Sequence, residues 1–274
     1  MAARLYIADH DGSVLRLGLK SGKVSTVATG APLSRPSGIA IAQNADLVVS
    51  DEGADAVFQV NPASGDVTTL ASGPPLSFPF DVEENRHGVD FVADASAGPG
   101  GTGAVFRVSP TGGIDPVVQG PPLLNPRGLA LAHRHHKLFV ADDRGPGKSG
   151  AVFRVDIRNG TVKRVASGAP LVDPSGLDLD YQRGLLYTTD YSAGPGKTGA
   201  IFKIDPGSRE VRNIRRGPPL DEMYGIAFAR SLFVPAAPDA NGDNALFRLR
   251  RTGGGLRTYL STEITEPYGV AIGG

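Results

Sequence analysis

A six-residue phrase repeated along the whole chain, further apolar runs after each copy, and incomplete units at the two ends predict an all-β fold. The prediction is a six-bladed β-propeller filling residues 1–274 as a single domain, with four-stranded antiparallel blades. The ring is expected to close by pairing N-terminal strands with a C-terminal strand in one blade.

The phrase reads Pro36-Ser-Gly-Ile-Ala-Ile41, Pro79-Phe-Asp-Val-Glu-Glu84, Pro126-Arg-Gly-Leu-Ala-Leu131, Pro174-Ser-Gly-Leu-Asp-Leu179, Met223-Tyr-Gly-Ile-Ala-Phe228 and Pro267-Tyr-Gly-Val-Ala-Ile272. A second run ends in Asp at Asp51, Asp94, Asp142 and Asp190, and in Ala at Ala236. A third carries Phe58, Phe106, Phe153, Phe202 and Phe247, which are expected to pack between blades. A fourth and more polar run closes the unit, as in residues 160–168. These runs are short, β-branched or aromatic, and bounded by Gly, Pro, Asn and Asp, which is strand chemistry. Residues 4–9, 13–17 and 22–29 supply second, third and fourth strands, and residues 267–272 supply the missing first strand. Joining them leaves no free sheet edge at the seam.

Composition narrows the function. Lys plus Arg and Asp plus Glu each number 28, so the formal net charge is zero, which argues against a nucleic-acid or anionic-membrane binder. Cysteine is absent, removing disulfides, thiolate zinc sites and cysteine nucleophiles. The given chain has no leader-like apolar core and no window of eighteen apolar residues, so a soluble and, by default, cytoplasmic monomer is expected.

The Pro-x-Gly-[Ile/Leu/Val]-Ala opening with its Val-[Ala/Ser]-Asp ending resembles NHL repeats. It is also similar to the wider six-bladed clan of gluconolactonases, strictosidine-synthase-like proteins and streptogramin lyases. The resemblance covers essentially the whole chain and implies the fold, while the clan's activities range from hydrolases to pure binding domains. Gluconolactonase-like members hold a divalent cation with a Glu and with Asn or Asp at position x. Here x is Ser37, Phe80, Arg127, Ser175, Tyr224 and Tyr268, with no carboxylate or amide, so no catalytic metal is expected. The lyase branch implies a late-blade His. Yet His87, His133, His135 and His136 fall between first and second strands, at the other end, and only His10 lies on the same face as x.

In a propeller of this kind the phrase, the Asp after the second strand and the following loop share one face, the mouth of the central channel. Its candidate ligand-binding residues are the x ring, backed by Arg35, Phe78, Asn125, Asp173, Glu222 and Glu266. Arg with Tyr hydroxyls suits a carboxylate, phosphate or sugar, and the rings offer stacking. Asp81 replaces the repeat glycine. Poorly solvated, it would have a raised pKa and serve as a general acid or base, with Glu222 the other catalytic candidate; otherwise it bonds the local backbone. The Asp9, Asp51, Asp94, Asp142 and Asp190 series reads as one structural job, accepting amides in the following turn.

Other motifs read as architecture. Asp239, Asn241 and Asp243 alternate as in a calcium loop but lack its Gly and distal Glu, so a turn competes with a calcium site there. The Gly-Lys-[Ser/Thr] sequences at Lys148 and Lys197 lack the phosphate loop's earlier Gly and precede strands, not helices. Gln59, Arg107, Arg154, Lys203 and Arg248 are expected to lie on a neighbouring blade and pair with carboxylates. Arginines 209–216 and 248–257 mark a solvated outer edge or a basic flank. The leading expectation is small-molecule or peptide binding at the channel mouth. A lactonase-like, lyase-like or strictosidine-synthase-like enzyme and a protein-interaction scaffold are the alternatives.

Overall fold

A computed structural model describes residues 4–132, 136–145, 147, 149–236 and 244–273. Among them are six four-stranded sheets, each meeting its neighbours around a common axis. Blade 1 joins Arg4–Asp9, Ser13–Gly18 and Val24–Thr29 to Pro267–Gly273, which pairs antiparallel with the first of these (Leu5 opposite Ile272, Ile7 opposite Val270). The ring is therefore closed by its own termini, as the incomplete end units require. Blades 2 to 5 begin with inner strands Pro36–Ile41, Pro79–Glu84, Pro126–Ala132 and Pro174–Asp180. In blade 6 the inner strand shrinks to Ala227–Phe228. There Met223 stands in place of the proline, and the Phe228 amide donates to the Asp178 carboxylate of blade 5.

The core lies between blades rather than within them. Each of six apolar clusters draws on two neighbouring sheets; one unites Ala40, Val48 and Val57 of blade 2 with Val82, Val92 and Phe106 of blade 3. The repeated phenylalanines are buried in these layers, as expected, and each contributes about 2–3 kcal/mol of burial. Asp9, Asp51, Asp94, Asp142 and Asp190 are fully buried and do the same work in successive blades. Asp51 accepts the amides of Ser34 and Arg35 ahead of the inner strand and of Gly53 and Ala54 in the following turn. Asp51, Asp94, Asp142 and Asp190 thus tie two loops each at the channel mouth, while Asp9 holds Thr265 and Glu266 ahead of the C-terminal strand, which keeps the residues of that face in register.

The third-strand polar residues need a correction. Arg107 meets Asp115 at 3.5 Å and Gln59 donates to Asp46 at 3.0 Å. Arg248 instead donates to Ser231 and lies over the Phe233 ring, while Arg154 and Lys203 have no carboxylate partner among the described residues. Arg212, Arg215, Arg216 and Arg257 lie on the outermost strands Val211–Arg216 and Arg257–Leu260, where charge blunts a sheet edge.

Close approach of the inner strands explains the glycine of the phrase. A Cβ on Gly176 would sit 2.6 Å from the Gly225 carbonyl carbon and 2.7 Å from the Ile226 nitrogen, on blade 6 backbone. Gly38 faces the Asp81 Cα at 2.5 Å and Gly269 the Ser37 carbonyl oxygen at 2.5 Å in the same way. Gly176→Ala must push two blades apart and is expected to cost about 2–3 kcal/mol, the usual range for overpacking. Urea unfolding followed by circular dichroism checks this; a variant within about 0.5 kcal/mol of the parent would show that the ring yields at its axis.

Candidate functional site

The x residues converge at the channel mouth, but they pack against one another and close it. Phe80 lies at the centre: the Arg127 guanidinium carbon stands 4.4 Å over its ring, and Tyr224 and Tyr268 flank it at 6.3 and 6.1 Å. Tyr224 and Tyr268 stack at 3.9 Å and 10°, and Tyr268 stacks in turn on His10 at 3.8 Å and 17°. Tyr191 tilts against Tyr224 at 5.4 Å. Glu222 lies near both hydroxyls and, with the ring each one faces, disfavours their ionised forms. Burial first, then these neighbours, pushes the Tyr191 and Tyr224 hydroxyls above the ordinary tyrosine range. The result is a rigid plate of rings, since each contact of this kind contributes roughly 1 kcal/mol.

Ser37 and Ser175 belong to the floor of this plate. Ser37 is buried and donates to the Pro79 carbonyl of the next blade, while the buried Ser175 hydroxyl has no partner among the described residues. Arg127 is not a free cation: its Nε donates to Asp143 at 3.2 Å, and the Asn125 amide donates to the other Asp143 oxygen at 2.7 Å. Beside Tyr268 lies a charged group that the x ring does not include. His10 Nε2 is 2.9 Å from Glu52 Oε1, with side-chain exposures of 0% and 4%. Arg35 approaches the same oxygen at 3.3 Å, and Glu266 approaches His10 Nδ1 at 3.4 Å. The other Glu52 oxygen is buried without a partner among the described residues. Asp239, Asn241, Asp243 and Lys148 lie outside the described residues, as do His133 and His135; Lys197 is exposed, in the Pro195–Lys197 turn.

Glu52 was legible in principle. It follows the repeated Asp, a position that reads His10, Glu52, Ala95, Asp143 and Tyr191 around the ring. Such blade-to-blade divergence beside an invariant structural residue is the signal that singles out the x ring, and it applies equally one residue past the Asp.

Below the plate the channel narrows to a chamber of about 20 Å³ bounded by Phe80, Asp81, Leu177, Tyr224 and Tyr268. It then widens to about 230 Å³ among Asp81, Glu83, Asp178 and Tyr181. Asp81 bonds the backbone and is poorly solvated as well: it accepts the Val82 amide at 2.9 Å and the Leu129 amide of blade 4 at 2.8 Å, and burial raises its pKa to about 7. Asp178 accepts the Leu179 and Phe228 amides and is also raised by burial to about 7. Glu83 is raised well above the usual range by burial and by the charges of Asp178 and Asp81. Glu83 and Asp178 occupy the phrase position that is Ala40, Ala130, Ala227 and Ala271 elsewhere, so they too were visible in the repeat. Among the described residues no three His, Asp or Glu side chains converge as metal ligands.

The chain matches no protein-family model and no curated protein. Solved structures do match. One described as a nidogen/laminin complex is 15% identical, with 98% of each chain covered and a TM-score of 0.81. TolB from Acinetobacter baumannii is 14% identical with a TM-score of 0.74, covering 99% of this chain and 66% of that one. Fold and comparisons together define a six-bladed β-propeller, structurally like the nidogen and TolB propellers.

The channel carboxyls give the fold a pH dependence. A carboxyl whose pKa is higher in the folded than in the unfolded state binds more protons when folded. Its stabilising contribution is complete below about pH 4 and is lost as the pH rises through about 7 for Asp81 and Asp178. Asp90 and Asp142, raised by burial to about 8 and about 6, act in the same direction. Stability is thus expected to fall between about pH 4 and 8, and Asp81→Asn with Asp178→Asn to flatten that slope. Urea titrations across the range measure it; an unchanged slope in the double variant would mean both groups stay ionised throughout.

Proposed function

We propose that this propeller is a recognition module that holds a basic peptide segment of a partner protein against the channel-mouth plate, without a catalytic metal. The observation that carries the reading is the stacked row His10–Tyr268–Tyr224, with Tyr191 against its end and Phe80 beneath. The row is preorganised, so little side-chain entropy remains to be lost on binding. Tyr and Arg are the residue types on which binding energy concentrates. The chamber beneath, about 20 Å³, is too small for an organic ligand, which favours contact over the plate rather than inside it.

Charge supports the sign of the partner. Arg127 is held by Asp143 and Arg35 by Glu52, whereas the carboxylates of Glu52, Asp143, Asp173, Glu222 and Glu266 outnumber the guanidiniums of Arg35, Arg127 and Arg144. With the ring faces covered by one another, a Lys or Arg head group would meet the row at its hydroxyl edge, where the tyrosine oxygens accept hydrogen bonds and Glu222 supplies charge. In this reading Arg127, held by Asp143 over the Phe80 ring, braces the plate. The nidogen/laminin complex is an assembly of two proteins, which accords with the reading but, at 15% identity, does not carry it.

Selection from a random-peptide display library tests the proposal. Enriched peptides are expected to carry Lys or Arg. Tyr224→Ala is expected to weaken a selected synthetic peptide by about 2 kcal/mol, roughly thirtyfold. Glu222→Gln should weaken it less, and mainly at low salt. Enrichment of acidic peptides, or affinity unchanged in Tyr224→Ala, would overturn it.

The enzymatic alternative has one observation in its favour, the buried His10–Glu52 pair with its unpartnered oxygen. Turnover of lactone or ester substrates that disappears in His10→Gln but persists in Asp81→Asn would favour that alternative and locate the acid–base group there.

A further inference from the structure

The opposite end of the propeller carries a larger cavity, about 760 Å³, between blades 4 and 5. Its apolar wall is formed by Phe139, Leu179 and Tyr181, and three cations, Arg86, Lys137 and Arg154, line it. Tyr181 donates to the Leu131 carbonyl at 2.8 Å and also borders the widened channel, so its ring separates this groove from the channel carboxyls.

The charge here breaks the pattern of the repeat. In blade 2 the third-strand residue Gln59 is answered by Asp46, which immediately precedes the second strand. Blade 4 places Lys137 at that position, across the strands from Asp156 and diagonal to Arg154, so the carboxylate that answers Gln59 in blade 2 is replaced by a cation. Neighbouring carboxylates are engaged elsewhere, Asp156 with Arg158 at 2.8 Å and Asp180 with Arg183 at 3.2 Å. Among the described residues Arg86, Lys137 and Arg154 have no hydrogen-bond or ion-pair partner. Like charges gathered on an apolar groove without counter-ions repel one another and are stabilised together by a bound anion.

We propose that this groove binds a small amphipathic anion, an acyl or aryl carboxylate whose apolar body lies on Phe139, Leu179 and Tyr181 and whose charge meets Arg86, Lys137 and Arg154. The volume suits a ligand of that size, since ligand pockets run to roughly 300–1,000 Å³. Two guanidiniums and an ammonium offer both forked and point-charge contacts to its oxygens. This site is independent of the plate at the other pole.

Fluorescence titration of the full chain with anilinonaphthalene sulfonate tests the proposal, with laurate as competitor. The probe is expected to bind, and laurate to displace it where dodecanol at equal concentration does not. Arg86→Glu with Lys137→Glu, both at or near the surface, should weaken the probe at least tenfold without shifting the melting temperature. Arg154→Met should do so in part, and Arg127→Ala at the far face not at all. Should either charge-altered variant fail to fold, the laurate–dodecanol comparison on the parent still decides. Equal displacement by dodecanol, or equal binding by a folded double variant, would overturn the proposal.

Discussion

Six inner strands approach the axis so closely that no Cβ fits between blades 5 and 6 at Gly176, and the rest of the molecule is arranged around that constraint. Strands packed this tightly leave a channel with no room at its waist. Side chains one residue before the glycine are therefore forced upward, where they stack over the mouth. Side chains two residues after it point into the lower channel, where alanine is the rule and Glu83 and Asp178 the exceptions. Asp81 fits in a glycine's place because its carboxyl takes the room at Gly38 that a side chain would need, Oδ1 lying 2.7 Å from a Cβ placed there. Its other oxygen bonds the next blade through Leu129, so Asp81 replaces a close packing contact with a hydrogen-bonded one.

That geometry separates two kinds of carboxylate. The repeated Asp residues are buried with several amide donors each, and they fix loops. Asp81, Asp178 and Glu83 face confined channel space, and their raised pKa values follow from scarce solvation and mutual repulsion, only partly offset by amide bonds. Burial alone does not distinguish the two sets; the number of donors per oxygen does.

The fold was fully legible because repetition is a global signal: six copies of a phrase over-determine the strand order, and the two ragged ends dictate the closure. The contents of the mouth were legible as a set of residues and not as a state. Position in the repeat places Phe80, Arg127, Tyr224 and Tyr268 on one face. It carries no information on whether they point apart to form a basin or together to form a plate. That outcome depends on ring size across the axis, where Phe80 meets two tyrosines and a guanidinium at once. The pairing of Arg127 was hidden for a related reason. Arg127 looks like an unopposed cation in the x ring, yet Asp143, from the turn after the second strand of the same blade, lies within 3.2 Å. The short blade 6 strand had a local cue in Met223, but the compensating bond from Asp178 joins residues fifty positions apart.

Net charge was the least informative quantity of all. A formal balance of zero describes the sum over the chain, whereas a binding partner senses the field within about one Debye length, roughly 8 Å at physiological salt. The channel mouth gathers more carboxylates than guanidiniums, and the groove at the other pole gathers Arg86, Lys137 and Arg154 with no counter-ion among the described residues. Local groupings of unlike sign on one molecule vanish in the total and remain distinct in space. The physical reason is the ring itself: every blade delivers equivalent positions to both poles, so single substitutions in single blades can charge one pole without disturbing the other.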